Sequence, residues 1–138
     1  MLRPTILLLA LTAACRGTGR AVRGVTEIGA VTPANERTPA RGAPTITSVV
    51  RGHEPELRYC YEQALARDRA LEGALTVAVA IDGLGTATRV DVVERRWRGG
   101  PGGAGLEAER CVRTQIRSWL FPSRAAGTYR FPIRLMRR

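Results

Sequence analysis

The sequence predicts an α+β domain in which two helices cover one face of a three-stranded antiparallel sheet. Two long segments carry apolar residues at three- and four-residue intervals, which is the spacing of a helix. Three shorter segments have the alternating pattern of strands, and Asp82-Gly83-Leu84-Gly85 predicts a hairpin turn between the first two. The 138 residues suffice for one such domain, but not for a barrel enzyme or a two-half dinucleotide fold.

The first predicted helix begins near Ile46 and ends near Leu65. Pro55 lies inside its apolar pattern, so we expect either a kink or a second helix that begins there. A strand follows, in which large side chains alternate with small ones. Its large side chains are Leu75, Val77, Val79 and Ile81.

After the hairpin turn, the return strand puts Val90 and Val92 on one face and Arg89 and Asp91 on the other. A glycine-rich loop separates this strand from the second helix, which the pattern places from Leu106 to Leu120. The residues predicted to be buried on this helix are Ala108, Cys111, Val112, Ile116, Trp119 and Leu120.

The last predicted strand places Tyr129, Phe131 and Ile133 on one face. Pro132 has no backbone N–H to donate, so its side of the strand should be an open edge or a bulge. We therefore expect this strand to be an exposed edge of the sheet.

Residues 1–14 have the three parts of a secretory signal peptide, namely a positive charge, a short apolar stretch and small residues at its end. The residues leading to Cys15 resemble a bacterial lipobox, although Thr12 stands where that motif usually has Leu. The resemblance implies that Cys15 carries a lipid anchor. Arg16 after it favours the outer membrane, with the protein facing the periplasm. Secretion with ordinary cleavage nearby, or no export, are the alternatives.

Residues 15–43 contain the lipidated cysteine and a segment rich in Gly, Arg, Thr, Ala and Pro. No helical or strand period is sustained there, so we interpret it as a flexible linker. Residues 44–138 then form the folded domain.

With Cys15 assigned to the lipid, Cys60 and Cys111 remain, and an even number of cysteines in an exported chain favours a disulfide. Two buried free thiols are the alternative. A structural zinc site needs four ligands, whereas the chain offers these two cysteines and the single His53. We therefore expect no metal site.

The chain has 22 basic residues, all of them Arg, against 12 acidic ones, which gives a formal charge of +10. This excess is typical of nucleic-acid-binding proteins. The export signal, the scarcity of aromatic residues and the spread of Arg over every segment argue against that class, so no nucleic acid partner is expected. The densest basic cluster is Arg95-Arg96-Trp97-Arg98, which we predict to contact a partner protein or a polyanion.

No pattern of catalytic residues stands out. The segment Gly100–Gly105 matches Gly-x-Gly-x-x-Gly, but Pro101 occupies the first variable position and no parallel βαβ unit follows. His53 is the only histidine, and no serine lies in a nucleophile-elbow context. We therefore expect neither an enzyme nor a cofactor.

Four parts of the predicted domain carry a family resemblance: Cys60-Tyr61-Glu62-Gln63-Ala64-Leu65, Leu71-Glu72-Gly73-Ala74-Leu75, Ile81-Asp82-Gly83-Leu84-Gly85, and Cys111-Val112 followed by Trp119-x-Phe121-Pro122. They resemble the C-terminal domain of the AgmX/PglI family, which is known from myxobacterial gliding-motility proteins and is related to the C-terminal domain of TonB. The resemblance covers residues 46–136. It implies a TonB-like αββαβ fold, a disulfide between the two helices, and contact with a partner protein in the cell envelope.

TonB-like domains can accept an extended peptide beside a sheet edge. Here that edge would be the last strand, with Tyr129, Phe131 and Ile133. The leading hypothesis is therefore a non-enzymatic envelope lipoprotein that mediates protein–protein interaction in a motility or envelope-transport complex. One alternative is a structural envelope protein that binds anionic wall or lipid polymers through Arg. The other is a nucleic-acid-binding protein.

Overall fold

The protein is described from a computed structural model that covers residues 22–99 and 102–138. The predicted signal peptide and the lipidation site at Cys15 lie outside these residues. The described chain forms five strands and three α-helices, together with two 3-10 turns. In chain order these are β1 (Gly24–Ile28), β2 (Thr32–Pro33), α1 (Ala43–Gly52), α2 (Glu54–Arg67), β3 (Glu72–Ile81), β4 (Ala87–Arg98), α3 (Ala104–Ser118) and β5 (Gly127–Arg137).

The strands form one antiparallel sheet in the order β1-β5-β3-β4, and the short β2 also pairs with β5. The prediction of an α+β fold with an antiparallel sheet is confirmed. The predicted number of three strands is wrong, because the described residues form five. Both additional strands come from residues 22–43, which we predicted to be a flexible linker.

β1 has the sequence Gly-Val-Thr-Glu-Ile and pairs with β5 from Gly24 opposite Arg137 to Ile28 opposite Ile133. Its five residues are too few and too mixed in hydrophobicity to show a clear strand period. The strand forms because β5 offers a row of backbone partners. Strand formation depends on such cross-strand context more than on local propensity.

β5 is an interior strand, flanked by β3 on one side and by β1 and β2 on the other. The prediction that Tyr129, Phe131 and Ile133 lie on an exposed edge is therefore wrong. All three side chains are fully buried. β1 and β2 cover the side of β5 that was predicted to be open, and both belong to the segment that was predicted to be a linker.

Pro132 lies where the pairing of β5 with the preceding strands is interrupted. Its carbonyl accepts a hydrogen bond from the N–H of Gly29, so its missing N–H would point to the same side. Between the pairs Ile28–Ile133 and Thr32–Arg130, three residues of the preceding segment oppose two of β5. The bulge that the sequence predicted as one of two options at this proline is therefore present.

The first predicted helix is two helices, α1 and α2, with His53 between them. Pro55 lies in the first turn of α2, where a missing N–H costs no intrahelical hydrogen bond. Of the two options predicted at this proline, the structure has the second helix.

The apolar sides of the three helices and the inward faces of β3 and β5 form one hydrophobic core. Cys60 on α2 and Cys111 on α3 are joined by a disulfide, with their Cα atoms 5.5 Å apart, which confirms the predicted pairing. α3 begins and ends two residues earlier than the predicted range from Leu106 to Leu120. Leu120 lies beyond the end of the helix and is exposed, whereas the side chain of Glu109 is buried.

Candidate functional site

β4 is an outer strand of the sheet and contains the predicted contact residues Arg95, Arg96, Trp97 and Arg98. It pairs with β3 alone among the described residues. Its twelve residues span about 40 Å, so a long row of outward backbone N–H and C=O groups has no strand beside it. Such an edge is a template for pairing with another extended chain.

A β-bulge in β4 decides which way the predicted contact residues point. Val77 of β3 lies opposite Val92, but its neighbour Thr76 lies opposite Glu94, so Val93 is the extra residue. The simple alternation in the sequence would place even-numbered residues on the helix side throughout. Beyond Val93, the odd-numbered residues take that side instead.

Arg95 and Trp97 therefore face α3, where both bind Glu109. The Nε1–H of Trp97 donates to Oε1 of Glu109 at 2.8 Å. The Nε of Arg95 donates to the two carboxylate oxygens of Glu109 at 2.9 and 3.1 Å. Glu109 is 1% exposed, and a buried carboxylate is tolerated only with such partners.

The indole of Trp97 is also wedged between β3 and α3. A Cβ atom added at Gly105 would lie 2.7 Å from the ring, and one added at Gly73 would lie closer still. Both positions thus require glycine for close approach. Trp97 contributes to the packing of the domain, so its identification as a free contact residue is not supported by its surroundings.

Arg96 and Arg98 point to the opposite face of the sheet, which no helix covers in the described chain. On this open face, the β3 residue opposite Arg96 is Ala74, whose β5 partner is Arg134. Two rows further along, Arg130 lies opposite Ala78. Ala74 therefore lies between arginines on both neighbouring strands, whereas Ala78 lies between Arg130 and Asp91.

The open face also carries acidic residues, and some of its charges are paired. Asp91 accepts a hydrogen bond from Arg89 at 2.5 Å, and Glu94 accepts one from the hydroxyl of Thr76 at 3.1 Å. By contrast, the side chains of Arg96, Arg130 and Arg134 form no hydrogen bond or ion pair within the described residues. These three guanidinium groups are therefore available to an anionic partner.

A second tryptophan–glutamate contact lies at the junction of α1 and α2. The Nε1–H of Trp119 donates to Oε2 of Glu56 at 2.6 Å, and Nδ1 of His53 lies 2.9 Å from Oε1. The imidazole of His53 stacks on Trp119 with a centroid distance of 4.6 Å. The hydrogen bonds from His53 and then Trp119 hold the pKa of Glu56 below its usual value.

Sequence reasoning missed the roles of Glu56 and Glu109. The three-residue spacing of His53 and Glu56 was a detectable signal, because such residues are neighbours on a helix. The contact between Glu109 and Trp97 had no such signal, because it depends on the bulge at Val93. Neither cluster contains a Ser, Thr, Cys or Lys side chain.

The remaining observations bear on metals, membranes and relatives. In residues 22–99 and 102–138, no three His, Cys, Asp or Glu side chains are grouped as metal ligands. No helix in the same part of the chain is long and apolar enough to cross a membrane. Comparison of the chain with protein-family models, curated proteins and solved structures gives no match.

Proposed function

We propose that this protein is a non-enzymatic cell-envelope lipoprotein whose TonB-like domain binds another envelope protein. The observation that carries the proposal is the unpaired outer edge of β4. An extended segment of the partner would continue the sheet there, with main-chain hydrogen bonds for affinity and neighbouring side-chain sites for specificity. The resemblance of residues 46–136 to the AgmX/PglI family supports the same reading, with motility or envelope transport as the setting.

The disulfide supports export, because disulfides persist in oxidising compartments. Anchoring is a separate part of the proposal and rests on Cys15. Labelling of the full chain with radioactive palmitate should be lost in Cys15→Ser. Unaltered labelling of that variant, or no labelling of the wild type, would sink the lipoprotein assignment.

The edge-binding proposal is tested by photo-crosslinking in the native cell envelope. A photoreactive residue is introduced at Arg89, Val93 or Arg96 on β4, and at Arg110 or Arg117 on the exposed side of α3 as the matched control. We expect one envelope protein to be captured from the β4 positions and not from α3. Equal capture from both surfaces, or none from β4, would contradict the proposal.

A second candidate function is binding of an anionic wall or lipid polymer by the open sheet face. The observation that favours it is the set of unpaired guanidinium groups at Arg96, Arg130 and Arg134. In this case, binding to isolated envelope material should vanish at high salt and in the Arg96→Glu/Arg130→Glu variant, because exposed charge pairs are screened. Salt-tolerant capture of one protein through β4 would favour the leading proposal.

A further inference from the structure

The edge of the sheet opposite to β4 is accompanied by a groove. An open cavity of about 1080 Å³ lies between β1 and α2, with residues 22–26 on one side and side chains of α2 on the other. A second cavity of about 640 Å³ continues along β1 to Gly29 and shares Thr26 and Glu54 with the first. We refer to the two together as the β1–α2 groove.

Backbone groups of β1 face this groove. The carbonyl of Arg23 accepts a bond from Arg138, and the N–H of Gly29 donates to Pro132, so the odd-numbered residues of β1 face β5. Successive residues of a strand point their backbone groups to opposite sides. Gly24, Thr26 and Ile28 therefore face outward, and the N–H of Gly24 indeed donates to Glu62 of α2 at 3.2 Å.

Among the described residues, no strand lies beyond β1, so the N–H and C=O groups of Thr26 and Ile28 form a short unpaired edge. A single added strand could pair with both residues. α2 forms the wall above this edge, so an added segment would lie between a strand and a helix rather than on a bare edge.

The side chain of Thr26 gives an independent indication of a ligand. Thr26 is only 8% exposed, lines both cavities, and its Oγ1 has no hydrogen-bond partner in the described part of the chain. A buried hydroxyl without a partner is costly in a folded protein. Because the Oγ1 atom is itself covered, rotation of the Thr26 side chain about χ1 would let a polar group of a molecule seated in the groove supply the missing bond.

The charge of the groove indicates the chemistry of that molecule. Three glutamates and twice as many arginines line the groove, and none of the arginines forms an ion pair with a described residue. The groove is therefore complementary to carboxylates. The arginines are Arg23, Arg51, Arg58, Arg69, Arg134 and Arg138.

We infer that the β1–α2 groove binds an extended acidic segment of a partner protein. The segment pairs with β1 at Thr26 and Ile28, gives the Thr26 hydroxyl a partner, and places its carboxylates against the arginines of the groove. The residues of this chain that precede β1 are poor occupants, because residues 1–21 contain Arg3, Arg16 and Arg20 and no acidic residue. This site is separate from the β4 edge.

The test uses the purified full chain and a fluorescein-labelled ten-residue peptide of alternating Glu and Val, with a Lys-Val peptide as the charge-swapped control. We expect the acidic peptide alone to bind. The double variant Arg58→Glu/Arg69→Glu, which changes an exposed residue of α2 and an exposed residue just after it, should weaken binding roughly tenfold or more. Arg110→Glu/Arg117→Glu on α3 makes the same charge change away from the groove and should leave the affinity nearly unchanged.

Two further measurements separate strand addition from simple charge attraction. Saturating peptide should slow amide hydrogen exchange at Thr26 and Ile28 and leave β4 unaffected. Thr26→Val, which removes the hydroxyl and keeps the shape, should weaken binding roughly fivefold.

The inference is overturned if the acidic peptide does not bind, if both double variants weaken it equally, or if it binds without protecting Thr26 and Ile28. It is also wrong if inorganic polyphosphate shows the same dependence on Arg58 and Arg69 and the same amide protection. Should these tests fail while crosslinks from β4 persist, the groove alone is refuted and the proposed function stands.

Discussion

Two tryptophans of this domain each donate an indole N–H to a glutamate, and the two glutamates differ in burial. Glu109, the partner of Trp97, is 1% exposed and is also bound by Arg95. The side chain of Glu56, the partner of Trp119, is 41% exposed and also contacts His53. The same pair of groups thus occurs once in the interior and once at the surface.

The difference shows that burial, not the identity of the pair, sets the energetic role of such a contact. When a buried acceptor is removed, the enclosed space that it leaves is not freely filled by water, so the hydrogen bonds made to it are not simply replaced. When a half-exposed acceptor is removed, water can satisfy the donor. Glu109 on α3 should therefore stabilise the end of β4 near the bulge. Glu56 on α2 should contribute less to the free energy of unfolding.

The largest expected effect is that of removing the buried carboxylate. Glu109→Ala should lower the free energy of unfolding by about 2–4 kcal/mol, because Trp97 and Arg95 lose their common acceptor. Urea unfolding followed by circular dichroism measures it. The matched control is Glu107→Ala on the same helix, which breaks an exposed pair with Arg67 and should cost under about 1 kcal/mol. Equal losses of unfolding free energy in Glu109→Ala and Glu107→Ala would refute the idea that burial sets the energetic role of these contacts.

A smaller effect is expected from crowding the indole of the buried pair. Gly105→Ala adds a methyl group 2.7 Å from the ring of Trp97, so it should destabilise by about 1–3 kcal/mol although Ala favours helices. Gly52→Ala, which has open space at the end of α1, should be neutral or stabilising by up to about 1 kcal/mol. Thermal unfolding of both variants provides the readout, and a stable Gly105→Ala protein would show that Trp97 is not tightly held.

Removal of the half-exposed carboxylate should cost less than removal of the buried one. Glu56→Ala is expected to lower the free energy of unfolding by about 0.5–1.5 kcal/mol, because water can take the place of the carboxylate on the indole N–H. The same urea experiment serves here. A cost as large as that of Glu109→Ala would mean that exposure is a poor guide to the role of these pairs.

The smallest expected effect is the loss, in acid, of the stability that Glu56 contributes. The folded-state pKa of Glu56 lies below its ordinary value of 4.5, since His53 and Trp119 bind the charged form. Its contribution to stability is therefore present above about pH 4.5 and is lost as the pH falls through the folded-state pKa. The gap in unfolding free energy between wild type and Glu56→Gln should shrink as the pH falls from about 5 to about 3. A gap that widens in acid would have the wrong sign.

The sequence predicted the parts of the fold whose pattern is local. The helical period of α3, the alternation in β3 and the hairpin turn between β3 and β4 each depend on neighbours a few residues away. β1 could not be predicted in this way, because its five residues become a strand only through pairing with β5, more than a hundred residues later.

At the candidate site, too, the local pattern was insufficient. Composition located the cluster Arg95-Arg96-Trp97-Arg98, and strand alternation divides it between two faces of the sheet, but neither shows which pair faces α3. That assignment follows from one extra residue at Val93, because a bulge reverses the facing of every side chain after it. The exposure of Leu120 and the burial of Glu109 have a related cause, since both depend on which partner the three-dimensional fold supplies rather than on helical spacing.

The pairing of β1 with β5 also determines how the domain would respond to a pulling force. Gly24 lies opposite Arg137, so a pull between residues 22 and 138 acts on one end of an antiparallel pair. The hydrogen bonds between β1 and β5 would break one after another from that end, instead of bearing the force together. The Cys60–Cys111 disulfide then prevents extension of the chain between the two cysteines, which are 51 residues apart in the sequence. Tension would therefore peel off β1, and with it one wall of the β1–α2 groove, while the disulfide-linked helices stay attached to each other.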